Sequence, residues 1–536
     1  MAISRRKCFL AAVVSFLVIA NLSYMFSPRL QAIYLSNDRQ SELSFVHSNH
    51  EEEDEISDGV ASLSSNSSNF RKPWPFLPSG IPWTHPSGVI SSSCEGYFGN
   101  GFTKSAAIFP RNSSDSFRFD KKLHAIKSER IHKNSESPSL QCFYSETLRT
   151  SLCEGRKIVI HPGRIHMSAG GEALDSVVGR TDAQELPSFS PGAFEIIVPP
   201  VLASDWTISE QLLNFILPQG HINDHRLRSL FSNVRTINSN DVKCSQRVKS
   251  STLLVIRYEY ANLFHTATDW YSGYVASRVL SLPNRPDVVF VDGHCQSPMD
   301  DGWKALFGDV KYAKSFTDSV CFDHLIFTPL GYETALFKGL NTGIPCKGCE
   351  PSEIKKIEDD GKTARLREFG EMFKSAFGVV NKRVKKSINI LFVRRESYLA
   401  HPRHSGKPET RLANEQELFD SMEKWAQSES LNFKRWGKKI NILNGTLAHM
   451  KMKEQVQAVD DASVIVGVHG AGLTHILFAR PGTIVLELTS PLFLRPHYAH
   501  ISEWMGFKYH SIRMRETVAN CEEVLQKLST ILDDLI

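Results

Sequence analysis

Little in this chain is lopsided. Lys and Arg outnumber Asp and Glu by only four over 536 residues, too small a balance at this length to imply a nucleic-acid partner. No Asp-x-Asp occurs, so the usual carboxylate clasp for a metal-bound diphosphate is missing. Neither His-Glu-x-x-His nor Gly-x-Ser-x-Gly is present, which leaves a zinc protease or serine hydrolase without support. Cys346-Lys-Gly-Cys349 has no second Cys-x-x-Cys beside it and completes no zinc site. No long internal repeat is visible. Hydrophobic residues make up 41% and charged residues 22%, ordinary globular proportions that exclude a disordered, collagen-like or polytopic membrane chain. At about 100–200 residues per domain there is room for two to four packed units.

One long hydrophobic run stands out. Arg5, Arg6 and Lys7 precede CFLAAVVSFLVIANLSYMF, residues 8–26, which carries no charge. Nineteen residues as a helix suffice to cross the ~30 Å hydrocarbon core. A cleaved signal peptide has a shorter apolar region, about 7–15 residues, and small residues at its cleavage site. Here the run ends in Tyr24-Met25-Phe26. The expected layout is a cytosolic tail (1–7), a transmembrane signal-anchor (8–26) and a flexible lumenal stem (27–90), with the basic side in the cytosol. Cysteine usage fits an oxidising lumen: beyond Cys8, nine remain, so some should pair and at least one must not. N-glycosylation sequons begin at Asn66, Asn112 and Asn444. Glu51–Glu55 is an acidic run, and Lys72–Pro86 carries a proline every few residues, which suits an extended, solvated stem.

The folded part divides by pattern into two lobes, 91–380 and 381–536. In the first, Thr252–Tyr258, Asp287–Val291 and Val320–Thr328 are apolar strand-like runs, and Asn262–Val279 has helical character. In the second the alternation is regular. Strands are expected at 387–393, 439–443, 463–468, 483–488 and 509–512. Helices are expected at 414–427, 447–460, from 473, at 495–505 and at 521–535. Strands alternating with helices of this length make βαβ units on a parallel sheet, which binds ligands at the carboxyl ends of its strands. Arg394, Gly445, residues 467–472 and 487–489 should therefore line one crevice.

Three constellations could carry chemistry. Gly467-Val-His469-Gly470-Ala471-Gly472-Leu473-Thr474 follows a strand and opens a helix, a place where backbone N–H groups meet anionic oxygens. Its spacing is neither the dinucleotide nor the nucleoside-triphosphatase motif, and a bare glycine cluster is as often a plain turn. Arg394-Arg395-Glu396 ends a strand, where arginine suits bidentate phosphate recognition; a solvated basic strand end is the plainer alternative. His265 and Asp269 sit four apart, on one face of a helix. A carboxylate beside an imidazole can hold its tautomer for general-base work, although such a pair is commonly structural. Glu333, in Gly331–Ala335, is the remaining candidate, for an opposing wall.

At these residues the chain resembles the plant β-1,2-xylosyltransferases of N-glycan processing, in glycosyltransferase family 61. The resemblance rests on NLFHTATDWY, PNRPDVVFVDGHC, PLGYETALFKG, NILFVRRESYLAHPRH and SVIVGVHGAGLTHILFARPGTIVLEL, with CEGYFGNGFTK and CFYSETL nearer the amino terminus. It covers about residues 72–515. The resemblance implies an α/β chain of GT-B type, two Rossmann-like lobes facing a cleft, with the amino-terminal lobe on the acceptor side and no metal or other cofactor. It implies an inverting transfer of xylose from UDP-xylose to the core β-mannose of N-linked glycans on glycoproteins, in the Golgi lumen, by a single-pass type II membrane protein. The donor would meet Arg394, Arg395, residues 467–474 and Glu487. His265, with Asp269 as partner, would be the base or acceptor-positioning group, and Glu333 the next candidate. Other family donors or acceptors (UDP-GlcNAc, UDP-arabinose, xylan) and a non-catalytic glycan-binding protein are the alternatives.

The missing Asp-x-Asp gives a first prediction: transferase activity persists in EDTA, because arginine and a helix terminus supply the positive charge. Loss of activity in EDTA, restored by Mn²⁺, would overturn that account.

Overall fold

The computed structural model describes residues 102, 104–109, 137–202, 206–219, 222, 224–280, 282–341, 366–379, 387–395, 412–431, 437–491 and 495–535. The expected anchor, the stem, Asn66, Asn112, Glu396 and the Cys346–Cys349 motif lie outside them. Among the described residues no helix is long and apolar enough to cross a membrane.

Two sheets organise the chain. The first contains β1 (Lys104–Phe109), β2 (Ser139–Ser145), β3 (Thr150–Ile160), β4 (Phe194–Val198), β5 (Arg235–Asn238), β6 (Gln246–Val255), β7 (Asp287–Phe290), β8 (Val310–Tyr312) and β9 (Val320–Phe327). Its path is β1-β2-β3-β9-β6-β7-β8, with β4 on β3 and β5 on β4. Only β9, β6, β7 and β8 run parallel to their neighbours along that path; β1, β2, β3 and β9 pair antiparallel. The amino-terminal lobe is therefore a mixed sheet, with a parallel Rossmann-like half and an antiparallel extension. The extension falls in the stretch before Ser250, where no periodicity dominates the sequence.

The second sheet is wholly parallel, as the alternation predicts. It orders β10 (Ser387–Val393), β11 (Lys439–Gly445), β12 (Val464–Val468), β13 (Ile484–Thr489) and β14 (Lys508–Arg513) as β11-β10-β12-β13-β14. Every residue of β12 is buried, the continuous apolar pattern of a strand covered on both faces.

Helix α1 (Leu263–Val279) follows β6, with the Asn262 side chain capping it at Phe264 N–H. Fourteen of its 17 residues are buried, so it is a core helix buried on nearly every face rather than an amphipathic surface one. α2 (Asp300–Leu306) packs beside it, and Gly302 makes room: a Cβ there would lie 2.3 Å from the Trp270 indole.

Helix α3 (Leu366–Ala376) packs against both lobes. Phe373 stacks on Phe478 at 4.1 Å and meets Trp270 at 4.9 Å, while Phe369 sits edge-on to Tyr271. One hydrophobic core consequently runs from α1 through α3 to the carboxyl-terminal sheet. Gly370 allows the backbones to touch, because a Cβ there would stand 2.2 Å from the Leu477 carbonyl oxygen. Lys374 closes the end with a buried ion pair to Asp460, 3.0 Å, on α5 (Met452–Asp460), and Arg367 reaches the Met505 carbonyl.

Disulfides Cys142–Cys153, across β2 and β3, and Cys244–Cys321 bear out the expectation of cysteine pairing. Cys295 and Cys521 are free among the described residues. Removing the α3 wedge should be costly: Phe373→Ala is expected to lower the unfolding free energy by about 3–5 kcal/mol, read as a fall in the denaturant midpoint at unchanged slope. A loss under 1 kcal/mol would show that α3 does not carry the junction.

Candidate active site

The carboxyl ends of the parallel strands gather the expected crevice. Val393 lies level with Gly445 and Gly467, and Gly467 with Glu487. After β12 the chain turns at His469 and Gly470 into a 3-10 helix, Ala471–Phe478; the expected helix is this tighter form. A Cβ at Gly470 would stand 2.9 Å from the Arg395 guanidinium, and one at Gly472 3.2 Å from Val393. Arg395 thus lies over the glycine turn, beside the first N–H groups of the 3-10 helix. Leu473 and Thr474 are buried, Thr474 against the Tyr498 hydroxyl at 3.4 Å, so their side chains brace the turn instead of lining a crevice. Tyr498 also bonds the Gly470 carbonyl.

Arg394, expected at the donor, is bonded to the following helix. Its Nε donates to Glu415 Oε1 at 3.0 Å and its guanidinium to Gln416 at 2.9 Å, on α4 (Glu415–Leu431). That side chain ties α4 to the strand end and is engaged away from the glycine turn. Its neighbour is the arginine on the turn. Glu487 also differs: it is wholly buried, and Oε1 accepts from His469 Nδ1 at 2.6 Å. A carboxylate so placed is a partner for the histidine. His475 is buried, its Nδ1–H donating to the Gly472 carbonyl at 2.6 Å, a strut for the turn. Asn444, at the end of edge strand β11, is exposed.

Across the cleft, His265 stands on the first turn of α1. It is half-buried against Tyr332 and Phe337, ring centroids 5.1 and 5.9 Å away, and its Nδ1 is buried with no hydrogen-bond partner. Burial alone pushes the imidazole down to about 4. Asp269 does not orient it: that carboxyl takes the Gly331 N–H, and burial pushes it well above the usual carboxylate range. Helical spacing put the two on one side; the Gly331 backbone, packed against Asp269, claimed the carboxyl. Glu333 is also engaged elsewhere, accepting from Thr150 at 2.9 Å and pairing with His225 at 3.2 Å inside the lobe. Burial pushes Glu333 up, but His225, Lys338 and Thr150 together hold it below the ordinary range. Such a group is a structural anion.

The two strand ends meet through a third imidazole that periodicity does not reveal. His497 opens α6 (His497–Met505), stacks on Phe264 of α1 at 5.6 Å, and lies 5.9 Å from His469. Burial, with His469, Arg495, His500 and His265 nearby, pushes it down to about 4. His265, His497 and His469 thus form a file across the junction of the lobes. Behind it, Arg257 is buried at the end of β6, bonded to Asp292 and Asp300 and lying 3.6 Å over Phe290. Among the described residues, no group of three or more His, Cys, Asp or Glu could hold a metal ion.

A parallel sheet with an arginine over a glycine turn, facing a second α/β lobe, is an arrangement able to hold an anionic ligand at its strand ends. The glycosyltransferase 61 profile matches residues 356–486. The chain is 46% identical over 503 residues to a β-1,2-xylosyltransferase of Arabidopsis thaliana, covering 88% of this chain and 90% of that protein. The chain belongs to the glycosyltransferase 61 family. A β-1,2-xylosyltransferase of Oryza sativa subsp. japonica is 45% identical over 469 residues, 86% of this chain and 83% of that one. A xylan glycosyltransferase of Arabidopsis thaliana is 24% identical over 285 residues, about half of each chain.

The buried histidines predict acid lability. His265, His475 and His497 stay neutral in the native state down to about pH 4, whereas an unfolded histidine takes up its proton near 6.5. Below 6.5 the unfolded state binds more protons, so their contribution to stability is full above that value and is lost as pH falls towards 4. The unfolding midpoint should decline across that window, and His475→Gln should flatten the decline. An unchanged slope in that variant would contradict the assignment.

Proposed function

We propose that this protein transfers xylose from UDP-xylose, with inversion, in β-1,2 linkage to the core β-mannose of N-linked glycans. The observation that carries this is the 46% identity, over about nine-tenths of both chains, to a protein named for that linkage. The xylan-acting relative is 24% identical over half the chain, so the xylan acceptor is the weaker choice. The two sheets, whose strand ends meet at the histidine file, support a GT-B arrangement with the donor on the carboxyl-terminal lobe.

In this reading Arg395 and the first N–H groups of the 3-10 helix hold the diphosphate, with no divalent ion required. The acceptor hydroxyl attacks the anomeric carbon from the face opposite UDP, which turns an α-linked donor into a β-linked product. His265 lies on the acceptor side as a positioning group, its ring neutral and only half-buried. The charge-free run at 8–26, the basic residues before it and the two disulfides support a single-pass type II protein with its catalytic part in the Golgi lumen.

Incubation with separate UDP-sugars and a GlcNAc-terminated N-glycan tests the reading: product mass should rise by one pentose with UDP-xylose, and a hexose or N-acetylhexosamine increment would refute it. Arg395→Ala should weaken UDP binding by about 10–150-fold, the worth of a hydrogen bond to a charged group. Arg394→Ala should leave it nearly unchanged and lower thermal stability instead. Equal losses in both variants would place Arg394 back in the donor site.

A further inference from the structure

Glu487 has a second partner. The Tyr509 hydroxyl donates to its Oε2 at 2.6 Å, while its Oε1 accepts from His469 Nδ1 at 2.6 Å. Tyr509 pairs with Val485 across β13 and β14, two residues before Glu487, so both side chains lie on one sheet face. Burial and the Glu487 charge push the Tyr509 phenol up, so it keeps its proton and can only donate to the carboxylate. Both carboxylate oxygens are thereby engaged in a residue with no exposed surface.

A carboxylate at Nδ1 has a defined consequence for a neutral imidazole: the proton sits on Nδ1, and Nε2 carries the lone pair. A base held by a third group is the arrangement that activates a hydroxyl. His265 has no such partner and Glu333 is spent on His225, whereas His469 is oriented and lies in the file that crosses to the acceptor lobe. We propose that His469 is the general base of the transfer and that Glu487 and Tyr509 are positioning residues acting through it. The inference rests on the transfer reaction above. In the step, the acceptor O–H bond breaks and its oxygen bonds the anomeric carbon. The proton passes to His469 Nε2, and the electron pair of the bond from carbon to the diphosphate oxygen departs with UDP. The imidazolium formed is stabilised by the Glu487 carboxylate.

Three variants of the full-length protein test this. His469→Gln should lower kcat by about 10²–10⁴-fold, the range of a general base, while calorimetric UDP affinity stays near that of the wild type. Tyr509→Phe should lower kcat by about tenfold, the worth of one hydrogen bond, with both KM values unchanged. Introduced into His469→Gln, Tyr509→Phe should have no further effect on kcat, since it acts through that ring. The proposal is overturned if folded His469→Gln stays within a few-fold of wild-type kcat, if it loses UDP affinity instead, or if the Tyr509→Phe cost persists in the double variant. A second readout needs no substrate. In ¹⁵N-histidine-labelled protein, His469 should show a protonated Nδ1 and an unprotonated Nε2, and Glu487→Gln should redistribute the tautomers; an Nε2–H ring in the wild type refutes the relay. Absence of xylose transfer by the wild type would instead count against the reaction assignment, leaving the tautomer measurement to decide on the relay.

Discussion

The packing of α3 between the lobes is the constraint on which the rest of the site depends. Phe373 lies flat on Phe478 and against Trp270, so one side chain touches the helix behind His265 and the turn that follows His469. The contact is close because Gly370 presents no side chain to the Leu477 carbonyl. Any larger residue would push α3 away from the 3-10 helix and carry the turn with it. The Lys374–Asp460 pair adds a directional restraint. Because a buried pair costs desolvation, its net stabilisation is small.

Given that junction, the polar site follows from strand ends. β12 and β13 place Gly467 and Glu487 side by side, so the histidine two residues beyond Gly467 reaches the carboxylate. Arg395 comes to the same turn from β10, while Arg394, one residue earlier, is drawn off by Glu415 and Gln416. Adjacent residues in an extended segment project to opposite sides, so only one of the pair could face the glycines. Cationic and backbone donors then converge at this turn, a setting in which such groups act strongly on an anion.

The amino-terminal lobe follows a different economy of charge. Beyond the ends of β6 and β7, Arg257 is bonded to Asp292 and Asp300 and His294 to one oxygen of Glu185, and Glu333 is absorbed by Thr150 and His225. These groups shape the wall without contributing reactive atoms. What reaches the junction from this side is the aromatic edge of Phe264 and the neutral ring of His265, a surface suited to a sugar face more than to a charge.

Much of this was present in the sequence itself. The strands from Ser387 to Arg513 and the helices between them follow from apolar runs and helical periodicity, because a parallel sheet covered on both faces needs near-continuous apolar strands. The glycine turn, Arg395 and His469 were legible for the same reason, since they sit directly at strand ends. Tertiary structure alone decided the partnerships. Asp269 is four residues from His265 yet bonds to Gly331, and Glu487 is 18 residues from His469 yet holds it. His497 and Tyr509 bear no local mark of function, since their meaning comes from rings and carboxylates brought close by chain crossings. The mixed character of the first sheet was equally hidden, because antiparallel strand pairing is set by which distant segments meet, and local pattern records burial but not neighbours.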